Sequence, residues 1–155
     1  MKPDLEIFID GACKGNPGEA AIGLVIYKEG KTVKEVSKII GEATNNVAEY
    51  TALIYALQEA LILNVRRIKV STDSELLFKQ VTGQYNVKSG LLQTLFDQVQ
   101  HLAEGFEHVE LKHIPREQNK EADQLASKAL KTKKQVKVVA SSSNDGGEES
   151  PSSKG

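Results

Sequence analysis

The chain opens on strict alternation of apolar and polar positions. In LEIFID (5–10), Leu5, Ile7 and Ile9 share one face of an extended segment, the two-residue period of a half-buried strand. AAIGLVIYKEG (20–30) continues as a second strand into a Glu29-Gly30-Lys31 turn. The return stretch KTVKEVSKII (31–40) alternates Val33, Glu35, Ser37 and Ile39 against polar neighbours. Strand, turn, strand, turn, strand predicts an antiparallel meander. The period then lengthens. TNNVAEYTALIYALQEALIL carries Val47, Tyr50, Ile54, Leu57 and Leu61 at helical spacing, with Thr44, Asn45 or Asn46 as its cap. RRIKVSTD (66–73) is a short strand, and SELLFKQVTG (74–83) a short helix closed by Gly83. A helix near 89–104 ends at Gly105, and FEHVELKHI (106–114) is a fifth strand. NKEADQLASKAL (119–130) is a last helix with Ala122, Leu125, Ala126 and Ala129 along one side.

The order βββ-α-β-α-α-β-α places the chain in the α/β class. A hairpin meander followed by β-α-β crossovers gives a mixed five-stranded sheet flanked by helices. No internal repeat is present. Residues 1–130 hold every periodic segment and form one domain. Residues 131–155 begin lysine-rich in KTKKQVK and pass into ASSSNDGGEESPSSKG, whose Ser, Gly and Glu content predicts a disordered tail.

Hydrophobic content of 39% and charged content of 26% are those of a soluble globular protein. No apolar run reaches the 18 or so residues that span a bilayer, so a membrane partner is not expected. MKPDLEIFID enters a strand at once, so a secretory signal is not expected. Cys13, the single cysteine, excludes an internal disulfide and a thiolate metal cluster. A monomer in the reducing cytoplasm fits these features. Residues 1–130 carry 15 Lys and Arg against 18 Asp and Glu, a net of −3, and KTKKQVK adds four lysines. A nucleic-acid binder is usually basic. An acidic core therefore needs bound cations or a local basic patch if its partner is a polyphosphate.

Four acids stand out by position. Asp10 is expected at the end of the first strand, before a glycine-rich turn, and Asp73 at the end of the fourth. Glu49 is expected in the first turn of the long helix and Asp123 in the first turn of the last. Each has an ordinary structural explanation: Asp73 as an N-cap, Asp10 as turn chemistry, Glu49 and Asp123 as partners of a helix dipole. Gathered in one place they would repel strongly without cations, and hard carboxylate oxygens suit Mg²⁺ or Mn²⁺. Spacing alone does not show that they converge.

Four motifs, in order over residues 4–130, resemble the type 1 ribonuclease H family: IFIDGACKGNPG, TNNVAEYTAL, STDSELL and HIPREQNKEADQLA. The last contains an Asn-x-x-x-Asp pattern followed by Leu-Ala. The resemblance implies the ribonuclease H-like fold and hydrolysis of the RNA strand of an RNA–DNA hybrid, leaving 5′-phosphate and 3′-hydroxyl ends. It makes Asp10, Glu49, Asp73 and Asp123 the ligands of two Mg²⁺ ions, with Mn²⁺ as a substitute and Asp10 bridging. One ion would activate the attacking water and the other stabilise the leaving 3′-oxygen. His113 and Arg116 fall where many members carry a mobile histidine that assists proton movement or product release. Either could serve, since IPRE follows His113 in place of a Gly/His-rich loop. His101 and His108 are expected to face solvent.

Substrate contacts implied by the same motifs are Cys13, Asn16, Asn45, Asn46 and Ser74. Amides suit sugars and base edges because they donate and accept, and the 2′-hydroxyl is what separates RNA from DNA. Capping is the ordinary role for Asn45 and Asn46. GACKGNPG is no Walker loop, because Gly-Lys-Ser/Thr before a helix is absent. Two departures point to a reduced grip. The chain has no tryptophan, and only QYNVKSG stands between Gly83 and Leu91, where larger members place a basic, Trp-bearing protrusion. No hybrid-binding domain is expected ahead of the first strand. Tyr85 and Lys88 are the remnants such a contact could use, or simply an interhelical loop. Glu75 stands where a neutral amide is common. Hybrid affinity is expected to be modest and salt-sensitive. The rival expectations are a non-catalytic nucleic-acid-binding domain of the same fold, a transposase- or integrase-like DNA nuclease, and a nuclease that also cuts double-stranded RNA.

Overall fold

The computed structural model describes residues 2–88 and 90–132. The tail beyond Thr132, expected to be lysine-rich and then disordered, lies outside the described residues. Strands β1 (Leu5–Lys14), β2 (Gly18–Lys28) and β3 (Lys31–Ala43) are followed by α1 (Asn45–Ile62), β4 (Arg67–Thr72), α2 (Glu75–Val81), α3 (Gly90–Ala103), β5 (His108–His113), a 3-10 turn at Arg116–Gln118, and α4 (Lys120–Thr132). The five strands lie in the order β3-β2-β1-β4-β5. β1 pairs antiparallel with β2, and β2 with β3, while β1–β4 and β4–β5 are parallel. This is the mixed α/β sheet that the periodicities predict.

The alternation in β1 sorts its side chains onto two faces. Leu5, Ile7 and Ile9 join Ile22, Leu24 and Ile26 of β2 in the main core, packed against Tyr50, Leu53 and Leu57 of α1. α3 closes the same side, with Val99 buried and Leu95 and Phe96 against the cluster. The opposite face is built from small residues. Ala12 and Ala21 meet Ala129 and Leu130 of α4 there, and Ala122 and Ala126 are fully buried. No helix among the described residues is long and apolar enough to cross a membrane.

Local chemistry accounts for the element ends. Glu29 (φ 52°) and Gly30 (φ 78°) both take the left-handed region between Lys28 and Lys31, as a two-residue I′ hairpin turn demands. Thr44 is the cap of α1, its hydroxyl accepting from Val47 N–H at 3.2 Å. Gly83 (φ 85°) follows the end of α2.

Three expectations need correction. β3 does not keep a single alternation: register shifts at Ala20/Ala21 and Ile26/Tyr27 turn Val36 and Ile40 toward the main core and Ile39 toward α4, while Val33 is 50% exposed. An extra residue in an edge strand reverses the facing of all that follow. β1 runs through Asp10 to Lys14, so Asp10 lies within the strand and not at its end. Glu49 is the fifth residue of α1, in its second turn.

Two glycines govern how closely the helices approach. A Cβ on Gly11 would lie 2.5 Å from the Ala48 carbonyl carbon of α1, and one on Gly23 would lie 2.1 Å from the Ala122 carbonyl oxygen of α4. Both neighbours are backbone and cannot swing aside. Gly23→Ala is expected to destabilise the chain by at least the ~1–3 kcal/mol typical of overpacking, measured as a lower urea midpoint at unchanged slope. A midpoint within error of the wild type would show that α4 is free to move outward.

Candidate active site

The sheet's hydrogen-bond register brings the first two acids together. The last parallel rung between β1 and β4 joins Ile9 to Thr72. Asp10 and Asp73 are the next residues after Ile9 and Thr72, one inter-strand spacing of ~4.8 Å apart. Asp10 is paired on its other side with Gly23, and because Gly23 admits α4, Asp123 in the first turn of α4 stands close enough for its charge to act on the Asp10 carboxyl. Gly11 does the same for α1. Its N–H donates to Glu49 Oε1 at 3.1 Å. Carboxylate oxygens of Asp10, Glu49 and Asp73 lie within 4.8 Å of one another. The four acids singled out by position therefore share one site.

Their electrostatics are those of an uncompensated cluster. Asp10, 6% exposed, is pushed up to about 8 from an ordinary 3.8, first by burial and then by the charges of Asp73 and Asp123. Burial, then Asp10 and Asp73, hold Glu49 well above the usual carboxylate range, against the Gly11 N–H and the Arg116 charge. Hard oxygens at this spacing, carrying repulsion that a cation would relieve, fit a divalent metal ion.

Arg116 and His113 are not equivalent. The Arg116 charge acts on both Asp10 and Glu49. His113 ends β5 opposite Thr72, is exposed, and stacks on Phe78 of α2 with ring centroids 5.8 Å apart at 27°. Its charge bears on Glu75. His101 and His108 are exposed.

A second cluster adjoins the acids at the start of α1. The Cys13 thiol donates to Asn45 Oδ1 at 2.8 Å, and Asn45 N–H donates to Asn16 Oδ1 at 3.0 Å. Burial, then the nearby Glu49 charge, raise the Cys13 thiol. Neither Asn45 nor Asn46 is the cap, which falls to Thr44. Asn46 is exposed in the same first turn. Ser74 is the N-cap of α2, accepting from Leu77 N–H at 3.1 Å, and so displaces Asp73 from that role. Tyr85, 48% exposed, is held by Lys79, whose Nζ lies 5.0 Å from the ring centroid and 2.8 Å from Glu75 Oε2. Glu75 thus neutralises the cation beside Tyr85. Lys88 is exposed.

Asn119 escaped the position-by-position reading. It is buried, and Nδ2 donates to Ile9 O at 2.8 Å and to Asp73 Oδ2 at 3.1 Å. Its place four residues before Asp123 was visible in the Asn-x-x-x-Asp pattern. Its burial was not.

A mixed five-stranded sheet with four acids at the β1–β4 junction defines the ribonuclease H-like class. The family model described as reverse transcriptase-like matches residues 8–129. Ribonuclease HI of Halobacterium salinarum is 41% identical over 135 residues, covering 84% of this chain and 68% of that protein. A bifunctional protein of Mycobacterium tuberculosis is 39% identical over 123 residues, 78% of this chain and 34% of that protein. The structure of LC11-RNase H1, solved in complex with an RNA/DNA hybrid, superposes with a TM-score of 0.79 at 40% identity, covering 83% of this chain and 98% of that one. The chain belongs to the type 1 ribonuclease H family.

The raised Asp10 has a consequence for stability. Between about pH 4 and pH 8 the folded chain keeps a proton there that the unfolded chain releases, so stability falls as pH rises across this window. In EDTA, the melting temperature is expected to decrease from pH 5 to pH 8.5. Asp10→Asn should flatten the decrease and Mg²⁺ should shrink it. A flat profile for the wild-type chain would contradict the electrostatics described.

Proposed function

We propose that the chain is an endoribonuclease that hydrolyses the RNA strand of RNA–DNA hybrids, leaving 5′-phosphate and 3′-hydroxyl ends, with Asp10, Glu49, Asp73 and Asp123 holding two Mg²⁺ ions. The observation that carries this reading is the adjacency of two clusters, the carboxylates of Asp10, Glu49, Asp73 and Asp123 and the Cys13–Asn45–Asn16 group, with the Glu49 charge acting on Cys13. One alone would support a cation site or a polar groove; together they support a nuclease that reads sugars beside the bond it cuts. The hybrid bound to LC11-RNase H1, a relative at 40% identity, supports the same substrate class.

When bound, divalent cations supply Lewis acidity and ionised water at neutral pH. The chain's own residues do the rest. Gly11 N–H and the packing of α1 fix the Glu49 carboxylate, so the ligand set forms without reorganising the backbone. Asn45 gives its side-chain oxygen to Cys13 and its main-chain N–H to Asn16, which leaves Nδ2 to donate. Asn16 likewise accepts through Oδ1 and keeps Nδ2. Asn45 stands one helical turn before Glu49, and amide donors beside the acids suit ribose hydroxyls in a minor groove. Arg116 supplies the positive charge that acts on the cluster from the protein side. It is assigned to the phosphate, while His113, exposed and stacked on Phe78, is assigned the lesser part of assisting product release. With Lys79 neutralised by Glu75, the grip near Tyr85 is weak and binding depends on salt.

Incubation with labelled RNA–DNA hybrid and Mg²⁺ is expected to give 5′-phosphorylated RNA fragments. Single-stranded RNA, duplex DNA and double-stranded RNA complete the panel. Asp10→Asn should reduce cleavage by more than the ~10–100-fold typical of an outer-shell substitution at a metal site. Hybrid binding without metal-dependent turnover, or equal rates on duplex DNA, would refute the proposal. Arg116→Ala should lower kcat roughly tenfold or more, as loss of a charge-stabilising donor does, and His113→Ala should lower it less. The reverse order would exchange their roles.

A further inference from the structure

We infer that Asn119 is the positioning residue that holds the Asp73 carboxylate against β1 and so sets the spacing of the acids. The inference rests on the proposed function, because its effect is on metal binding at that site.

Asn119 is 1% exposed and stands immediately before α4. Its Nδ2 uses both hydrogens, one to Ile9 O at 2.8 Å and one to Asp73 Oδ2 at 3.1 Å. A flipped amide would set its oxygen against two oxygens, so the orientation is fixed by the partners. Ile9 is the last residue of β1 paired with β4. The amide therefore bridges β1 and the end of β4 one step beyond the point where the ladder stops, in place of the missing rung. Its main chain extends the connection. Asp123 N–H donates to Asn119 O at 3.1 Å, and Asn119 N–H donates to Arg116 O at 3.0 Å. One residue is thus bonded to the neighbour of Asp10, to Asp73, to Asp123 and to Arg116.

The residue type follows from what the site needs. Asn119 Oδ1 is buried with no hydrogen-bond partner among the described residues, a cost that an apolar side chain would avoid. A lysine would donate but would also neutralise the carboxylates and compete with a cation. A neutral amide orients the carboxylate and leaves its charge available. Outer groups of this kind commonly tune metal sites about tenfold or more.

Mn²⁺ titrated alone into the full chain and followed by its electron paramagnetic resonance signal tests this without turnover. Asn119→Ala is expected to weaken Mn²⁺ binding about tenfold. With hybrid, kcat should fall by a similar factor while KM stays within about twofold. Unchanged Mn²⁺ affinity in folded Asn119→Ala overturns the inference and leaves Asn119 a packing residue. If Asn119→Ala does not fold, Asn119→Asp carries the test, since it keeps the shape and places an acceptor where the donor was. Weaker Mn²⁺ binding in a cooperatively melting Asn119→Asp supports the inference, and binding at or above wild-type strength overturns it. A wild-type chain that binds no Mn²⁺ removes the proposed function itself, and this inference with it.

Discussion

Carboxylates that repel one another are held together here by packing that owes nothing to charge. Gly11 lets the backbone of α1 lie against β1, and Gly23 lets α4 lie against β2. Each contact delivers one acid, Glu49 from one face of the sheet and Asp123 from the other, to the β1–β4 junction where Asp10 and Asp73 already meet. The hydrophobic core supplies the free energy, through Ile7, Ile9 and Ile22 against Tyr50, Leu53 and Leu57. The raised Asp10 and Glu49 record the electrostatic cost imposed on it. A site that is strained when empty of cations is primed to take them.

Much of the fold was legible because the pattern has two clean periods. Leu5, Ile7 and Ile9 announce a strand, and Tyr50, Leu57 and Leu61 a helix, without any tertiary knowledge. The four acids were legible as candidates for the same reason, since each stands just beyond or beside a periodic segment. Their convergence was not, because it depends on strand order and on the rung at which the β1–β4 ladder ends. Asp10 illustrates the limit. The glycines after it read as a turn, yet β1 continues to Lys14 on β2 alone. β3 failed differently. A bulge changes the facing of residues without changing composition, so Val33 and Ile39, on one face in the alternation, part company and Val33 is half exposed. Asn119 sat in a recognised motif, but a buried amide cannot be told from a helix cap until its partners are known.

Polar groups near the acids divide their atoms between structure and chemistry. Ser74 spends its oxygen on capping α2, Thr44 spends its oxygen on α1, and Asn45 commits its acceptor while keeping a donor. This division is why a capping role and a binding role need not compete at the start of α1, where both had seemed to claim the same residues. His113 and Arg116 divide in the same way, one stacked on an aromatic ring and one whose charge acts on the acids.

The rung at which Asp10 and Asp73 meet also bears on how such a chain can change in length. Side chains alternate along a strand, so a single-residue insertion or deletion between Arg67 and Asp73 would send the Asp73 carboxylate to the α1 face and dismantle the set. The same event between Gln84 and Lys88, a stretch outside every strand and helix, would shift nothing in the sheet. Drift in loop length is therefore open between α2 and α3 and closed at the rung where the acids meet.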